Sequence, residues 1–186
     1  SHSITLTSSG DTRIYAENTN VNRNGASNEF IVNPASLNIT ESSLSVNPNN
    51  LIADGNGAST VTLQAKDQFG NNLTSGGETI VFVTDNGTLD SQNGTGQTVT
   101  ATDTGNGTYS ATLTSSTTIE TATVEAFLNS QSGGKLGETT VEFTAGQLSS
   151  FTITLPQDGG SPDFQTAGVP FDITVEALDS NGNVIP

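Results

Sequence analysis

Three clusters of Asp, Asn and Gly are the residues of this chain best suited to chemistry. They are Asp54-Gly55-Asn56-Gly57, Asp67-Gln68-Phe69-Gly70-Asn71 and Asp179-Ser180-Asn181-Gly182-Asn183. Their oxygens are hard donors, and calcium takes about six to eight such ligands. The calcium candidates are therefore Asp54, Asn56, Asp67, Asp179, Asn181 and Asn183. The last cluster has a D-x-N-x-N spacing. It lacks the distal bidentate Glu of a calcium loop and lies between strand patterns. The competing reading is turn chemistry, in which Asp and Asn side chains bond nearby backbone amides and Gly supplies positive φ. The sequence favours the turn for each cluster. On that reading the chain needs no cofactor, and calcium is the one ion the clusters would take.

Other chemistry has less material. A Ser-His-Asp triad has only His2 to draw on, and Ser1-His2 reads as a cloning remnant. An acid pair for glycoside hydrolysis needs one carboxyl with a raised pKa in a cleft, and no pattern marks such a cleft. Lys66 and Lys135 are the lysines. Lys66 alternates outward from its strand, and Lys135 follows Gly133-Gly134 in a loop, so both read as solvated charge rather than as covalent crosslinks to Asn. Tyr109 follows the turn Asp103-Thr104-Gly105-Asn106-Gly107 and predicts a tyrosine corner, with its hydroxyl bonded to upstream backbone. Phe69 and Phe127 are expected at unit ends, as packing between domains. Asn-x-Thr sequons such as Asn72-Leu73-Thr74 are explained by abundant Asn and Thr in turns.

Composition narrows the function classes. Four Lys and Arg against nineteen Asp and Glu give a net charge of −15 over 186 residues. Nucleic acid and anionic membranes are poor partners, because both need cationic side chains against phosphate. Cysteine is absent, which removes disulfides, thiolate metal sites and cysteine nucleophiles. No apolar run reaches the roughly 18 residues of a membrane helix, and no leader segment is visible. The apolar share is 31% and the charged share 12%, so Thr, Ser, Asn and Gly fill the remainder. That balance fits short strands with polar outer faces and tight turns.

The elements that must hold these clusters repeat. Val61-Thr62-Leu63-Gln64-Ala65 and its Asp67–Asn71 turn read in register with Ile173-Thr174-Val175-Glu176-Ala177 and Asp179–Asn183, 112 residues later. Ser3-Ile4-Thr5-Leu6-Thr7 reads in register with Ser110-Ala111-Thr112-Leu113-Thr114, 107 residues later. Self-similarity at this period marks an array of small domains. Period-two alternation places strands around Leu44 and Val46, Val61 to Ala65, Ile80 and Phe82, and Val99 and Ala101. Further strands fall at Tyr109 to Leu113, Ala122 to Ala126, and Val141 and Phe143. About seven strands with regular turns predict an all-β, Ig-like antiparallel β-sandwich. We divide the chain into residues 1–40, the last strands of a preceding repeat; residues 41–146, one complete sandwich; and residues 147–186, the first strands of a following repeat. Short linkers between them favour an extended rod.

The complete unit resembles the bacterial immunoglobulin-like repeat of the invasin and intimin type (Big-1). The resemblance covers about residues 44–146. It rests on Ala53-Asp54-Gly55, Asp67-Gln68-Phe69-Gly70-Asn71, Ile80-Val81-Phe82, Gly87-Thr88-Leu89 and Gly107-Thr108-Tyr109-Ser110-Ala111-Thr112-Leu113. Ala167-Gly168-Val169-Pro170-Phe171 looks like a related Ig-like repeat of another surface-protein subtype. The resemblance implies a non-enzymatic, extracellular segment of a bacterial surface adhesin that acts as a spacer or stalk. Its expected partners are neighbouring Ig-like repeats and other copies head to tail. The alternatives are a self-assembling fibre subunit joined by intermolecular strand complementation, and a carbohydrate- or protein-binding module.

Overall fold

A computed structural model describes residues 3–18, 20–156 and 165–186. The expectation for Ser1-His2 lies outside these residues. The described part contains strands and no helix. The strands are β1 (Gly10–Thr12), β2 (Tyr15–Asn18), β3 (Arg23–Ala26), β4 (Phe30–Val32), β5 (Ser43–Asn47), β6 (Asn50–Ile52), β7 (Ala58–Gln64), β8 (Ile80–Thr84), β9 (Thr88–Ser91), β10 (Gly94–Gly96), β11 (Thr98–Thr100), β12 (Thr102–Asp103), β13 (Thr108–Thr114), β14 (Glu120–Leu128), β15 (Lys135–Thr144), β16 (Ser150–Thr154) and β17 (Thr174–Leu178).

Strands β5 to β15 form a two-sheet sandwich. One sheet runs β10-β9-β13-β7-β5, with β12 pairing β13, and the other runs β11-β8-β14-β15-β6. Period-two sequences supply its core. In β7 and β13 the residues Val61, Leu63, Tyr109, Ala111 and Leu113 point inward, and in β14 and β15 so do Ala122, Val124, Ala126, Val141 and Phe143. Thr60, Thr62, Ser110 and Thr112 alternate outward, where hydroxyls meet water at no desolvation cost. Phe82, the largest core residue of β8, sits opposite Val99 and Ala126 in its sheet.

The expected seven strands appear as eleven segments, because the chain twice changes sheet in mid-strand and adds the β9–β10 hairpin. β5 pairs antiparallel with β7; two residues later β6 pairs with β15 in the other sheet. That second pairing is parallel, the exception to the antiparallel pattern among the described residues. Likewise β11 pairs with β8 and β12 with β13, so the segment around Ala101 bridges the sheets.

Outside the sandwich, β1 pairs β4, β2 pairs β3, and β16 pairs β17. The β1–β4 register is Gly10↔Val32, Asp11↔Ile31, Thr12↔Phe30. It reproduces Glu120↔Phe143, Thr121↔Glu142, Ala122↔Val141 of β14–β15. The β16–β17 pair departs from its β5–β7 counterpart by two residues, with Phe151 opposite Ala177 where the repeat places it opposite Val175. A two-residue slip keeps every side chain on its face, so the apolar pattern does not oppose it.

Candidate functional site

The two long acidic turns are the same structure built twice. Each follows a strand, β7 or β17, and closes with a bond accepted by the final Asn carbonyl. The Asp67 N–H donates to the Asn71 carbonyl, and the Asp179 N–H to the Asn183 carbonyl. Gly70 and Gly182 adopt φ of 81° and 83°, where a side chain would be strained. The hairpins then continue identically, with Leu73 N–H bonding Ala65 O and Ile185 N–H bonding Ala177 O.

Each turn's carboxylate also reaches a backbone amide far from its own hairpin in sequence. Ala35 N–H, in the segment entering the sandwich, donates to Asp67 Oδ2 at 2.9 Å. Gly146 N–H, in the segment leaving it, donates to Asp179 Oδ2 at 2.9 Å. The remaining lone pairs go to the turn. Phe69 N–H and Asn71 N–H bond Asp67 Oδ1 at 2.9 and 3.0 Å, and Asn71 Nδ2 bonds Oδ2 at 2.9 Å. Asn181 N–H, Asn183 N–H and Asn183 Nδ2 do the same for Asp179, each at 2.9 Å. The closing Asn is a second hand across the joint. Asn71 Nδ2 donates to Thr7 O at 2.7 Å, and Ser9 N–H donates to Asn71 Oδ1 at 3.1 Å. Asn183 Nδ2 donates to Thr117 O at 3.0 Å, and Asn181 Nδ2 to Ala53 O at 3.3 Å. Phe69 lines a hollow of about 90 Å³ with Leu6, Thr7 and Val32, so this aromatic lies at the entering joint. Phe127 instead pairs with Val81 and Lys135 within its sheet, half-buried on the outer face.

Both carboxylates are buried, with 1% and 3% of their residues exposed. Burial pushes the Asp67 carboxyl up. The bonds from the Asn71 side chain and from the Ala35, Phe69 and Asn71 amides outweigh it and lower the pKa from 3.8 to about 2. For Asp179 the Asn183 side chain and the Gly146 amide lead, against burial, and the result is again about 2. A pKa depressed by folding stabilises the native state above the ordinary carboxylate value and loses that contribution as the pH falls through the folded value. The melting temperature should thus fall between about pH 4 and about pH 2. Asp67→Asn should melt lower at neutral pH and show a shallower acid slope, measured by circular dichroism across a pH series. An acid slope equal to that of the unaltered chain would show that Asp67 does not carry it.

The six sequence candidates do not come together. Asp67 lies at one joint, and Asp179, Asn181 and Asn183 at the other. Asp54 and Asn56 form a separate turn, in which Asn56 N–H and Gly57 N–H bond Asp54 Oδ1 at 2.8 and 2.9 Å. The donor set at the joints does not fit a calcium ion. The oxygens of Asp67 and Asp179 already accept N–H donors, and each closing Asn turns its amide nitrogen toward the carboxylate. A cation there would have to displace both. No cluster of three or more His, Cys, Asp or Glu side chains converges among the described residues.

The other sequence features take structural roles. Tyr109 is fully buried, and its hydroxyl accepts the Glu78 N–H at 3.1 Å, an upstream backbone group as expected. Burial, then the negative charge of Asp103, raises its pKa despite that bond. Lys135 donates to Glu125 at 2.6 Å and also to Glu138, and these bonds raise its pKa. Its partners are the half-buried Glu125 and the exposed Glu138 of the same sheet. What sequence reading missed is the reach of each Asp to the linker amide. The only signal in the sequence is the repetition of Asp-x-x-x-Asn after equivalent strands, at Asp67–Asn71 and Asp179–Asn183.

Residues 38–146 match the family model described as Invasin, domain 3. The chain belongs to this family. The family unit begins just after Ala35 and ends at Gly146, so the two linker amides held by Asp67 and Asp179 flank it. Among solved structures, the chain is similar to invasin, described as a bacterial integrin-binding protein. The identity is 28%, over 95% of this chain and 33% of that one, with a TM-score of 0.60. It shares its fold with InvD of Yersinia pseudotuberculosis, at 24% identity over 95% of this chain and 52% of that one, TM-score 0.52. The Escherichia coli adhesin FdeC gives 23% identity over 83% of this chain and 45% of that one, also at 0.52. The chain thus spans between a third and about half of the length of these proteins. No curated protein matches it.

Proposed function

We propose that this chain is a non-catalytic spacer segment of an extracellular bacterial surface protein of the adhesin type. Its work is to hold successive Ig-like units at a set angle, so that a recognition module elsewhere in the protein is displayed away from the cell. One observation carries this reading. The same buried Asp and its Asn occur at both joints, each grasping a linker amide and a carbonyl of the adjoining unit. A linker held by a buried, charged acceptor cannot swing without breaking charge-assisted bonds, which are stronger than neutral ones. The acids that cluster in the sequence are occupied by turns and joints, which favours a mechanical over a catalytic role. The low Lys and Arg content argues against nucleic acid as a partner.

The absence of cysteine makes the test direct, since two spin labels can be placed by Thr60→Cys and Glu176→Cys. Both positions are exposed, one on the sandwich and one on β17. The interspin distance distribution should be narrow, and Asp179→Ala should broaden it while Asp54→Ala leaves it unchanged. A broad distribution in the chain without Asp179→Ala would overturn the spacer reading.

A further inference from the structure

The parallel pair β6–β15 joins the segment by which the chain enters the sandwich to the strand by which it leaves. The entering linker meets the sandwich at the Lys66 end of β7, where Asn38 N–H donates to Lys66 O at 2.7 Å. From there β5 runs from Ser43, opposite Gln64, to Asn47, opposite Thr60. β6 continues in the same sense. Its last residue, Ile52, takes a bond from Ser115, which follows Thr114, and Thr114 lies opposite Ala58 at the other end of β7. β15 runs alongside β6, with Asn50 beside Glu142 and Ile52 beside Thr144, and leads into the leaving linker at Gly146. Entrance and exit therefore lie at opposite ends of β7, whose seven residues span about 23 Å.

We infer that this sandwich is built to carry tension along the chain, with the β5–β7 and β6–β15 ladders as its clamp. A pull on the two linkers draws β5 and β6 back toward the entrance and β15 out toward the exit. Both movements lie along the strands, whereas ladder hydrogen bonds run between them. The pull therefore shears each ladder, and all its bonds share the load. An antiparallel pair gripped at neighbouring ends would instead open one bond at a time. The β6–β15 ladder is the direct link between the two pulled segments. Glu142 N–H donates to Asn49 O at 3.0 Å and Ala53 N–H to Thr144 O at 2.8 Å. The Thr144 hydroxyl adds a bond to Asn50 Oδ1 at 3.2 Å. Leu51 and Ala53 are buried, so water does not compete for these bonds.

Two buried serines grip the same segment. Ser59 and Ser115 stand at inward positions, where the alternation of β7 and β13 otherwise places Val61, Leu63, Ala111 and Leu113. A hydroxyl in an apolar layer needs a partner. Ser59 Oγ donates to Pro48 O, and Ser115 Oγ donates to Ile52 O at 2.8 Å. Both acceptors belong to the stretch that crosses between the sheets, so the hydroxyls pin it to the body of the sandwich. At the entrance end Gly137 lets β5 lie against β15 as well as pair with β7, since a Cβ there would come within 2.9 Å of the Leu44 Cβ. The inference rests on the spacer reading for its purpose, because a spacer between the cell and a recognition module is what tension would stretch. Its geometry belongs to the sandwich and not to the joints.

Single-molecule force spectroscopy on the full chain tests it, with handles on introduced cysteines, of which the sequence has none. Glu41→Cys with Gln147→Cys pulls along the chain. Ile119→Cys with Gln147→Cys grips β14 and β15 at neighbouring ends, because Glu120 lies opposite Phe143. All three positions are exposed. Forced unfolding reports the unfolding rate and not the equilibrium stability, so the two axes compare two barriers of one fold. The first pair should yield at several-fold higher force than the second. Ser115→Ala removes one pin and keeps the ladders; it should lower the first force and leave the second unchanged. The inference is overturned by equal forces on the two axes, by a first force that Ser115→Ala leaves unaltered, or by an equal loss on both. Narrow interspin distances with equal forces would defeat the clamp alone, and broad distances with well-separated forces the spacer reading alone.

Discussion

Asp67→Ala should lower the melting temperature of the sandwich by roughly 10 °C or more, the scale expected when a buried hydrogen-bonding hub is lost from a domain of this size. The substitution removes the acceptor of Ala35, Phe69 and Asn71 N–H at one stroke. Alanine offers no oxygen, and the site is 1% exposed, so water does not replace it. Unsatisfied buried donors are among the few surface-to-core defects with large effects. Asp179→Ala provides the contrast. Its carboxylate organises a turn beyond the sandwich and one linker amide, Gly146. The sandwich should melt within about 3 °C of the unaltered chain, since its core and ladders are untouched. Differential scanning calorimetry separates the two. Equal effects would mean that Asp67 serves the joint only and does not support its own domain.

The second large effect concerns the core. Phe82→Ala should cost about 3–5 kcal/mol, the range for deleting a buried phenyl ring. That lowers the melting temperature by roughly 15 °C or more in a domain of about 110 residues. Phe82 is fully buried in β8 and lies between Val99 and Ala126 in the ladder, so no neighbour can collapse into the space without moving a strand. Phe151→Ala, the same deletion at a site that is 62% exposed, should change stability by less than about 0.5 kcal/mol in dilute solution. Urea denaturation of both variants is the measurement. A large effect at Phe151 in a dilute monomer would show a buried partner for that ring within the chain.

Sandwich, strand positions and inward faces were legible because they are set by local periodicity. Val61, Leu63 and Ala65 alternate with Thr62 and Gln64, and a pleated strand turns that alternation into two faces whatever surrounds it. Tyr109 was legible for a similar reason, as a ring two residues before the next inward position and directly after a glycine turn. The acidic turns were half legible. Asp with a glycine three residues on states a turn with positive φ, and the structure contains that turn at Gly70 and Gly182. The same oxygens also suited calcium on paper, since type and spacing do not say which way a lone pair points. Only the tertiary structure decided that, by bringing Ala35 and Gly146 amides to Asp67 and Asp179 from 32 and 33 residues away in sequence. The change of sheet between β5 and β6 was equally out of reach, because either sheet buries the same apolar residues. Sequence by itself determined which residues face inward and where the chain turns, through interactions spanning a few residues. Which carbonyl, amide or sheet edge each of them meets depended on contacts between segments far apart in the chain, which are selected by packing of the whole.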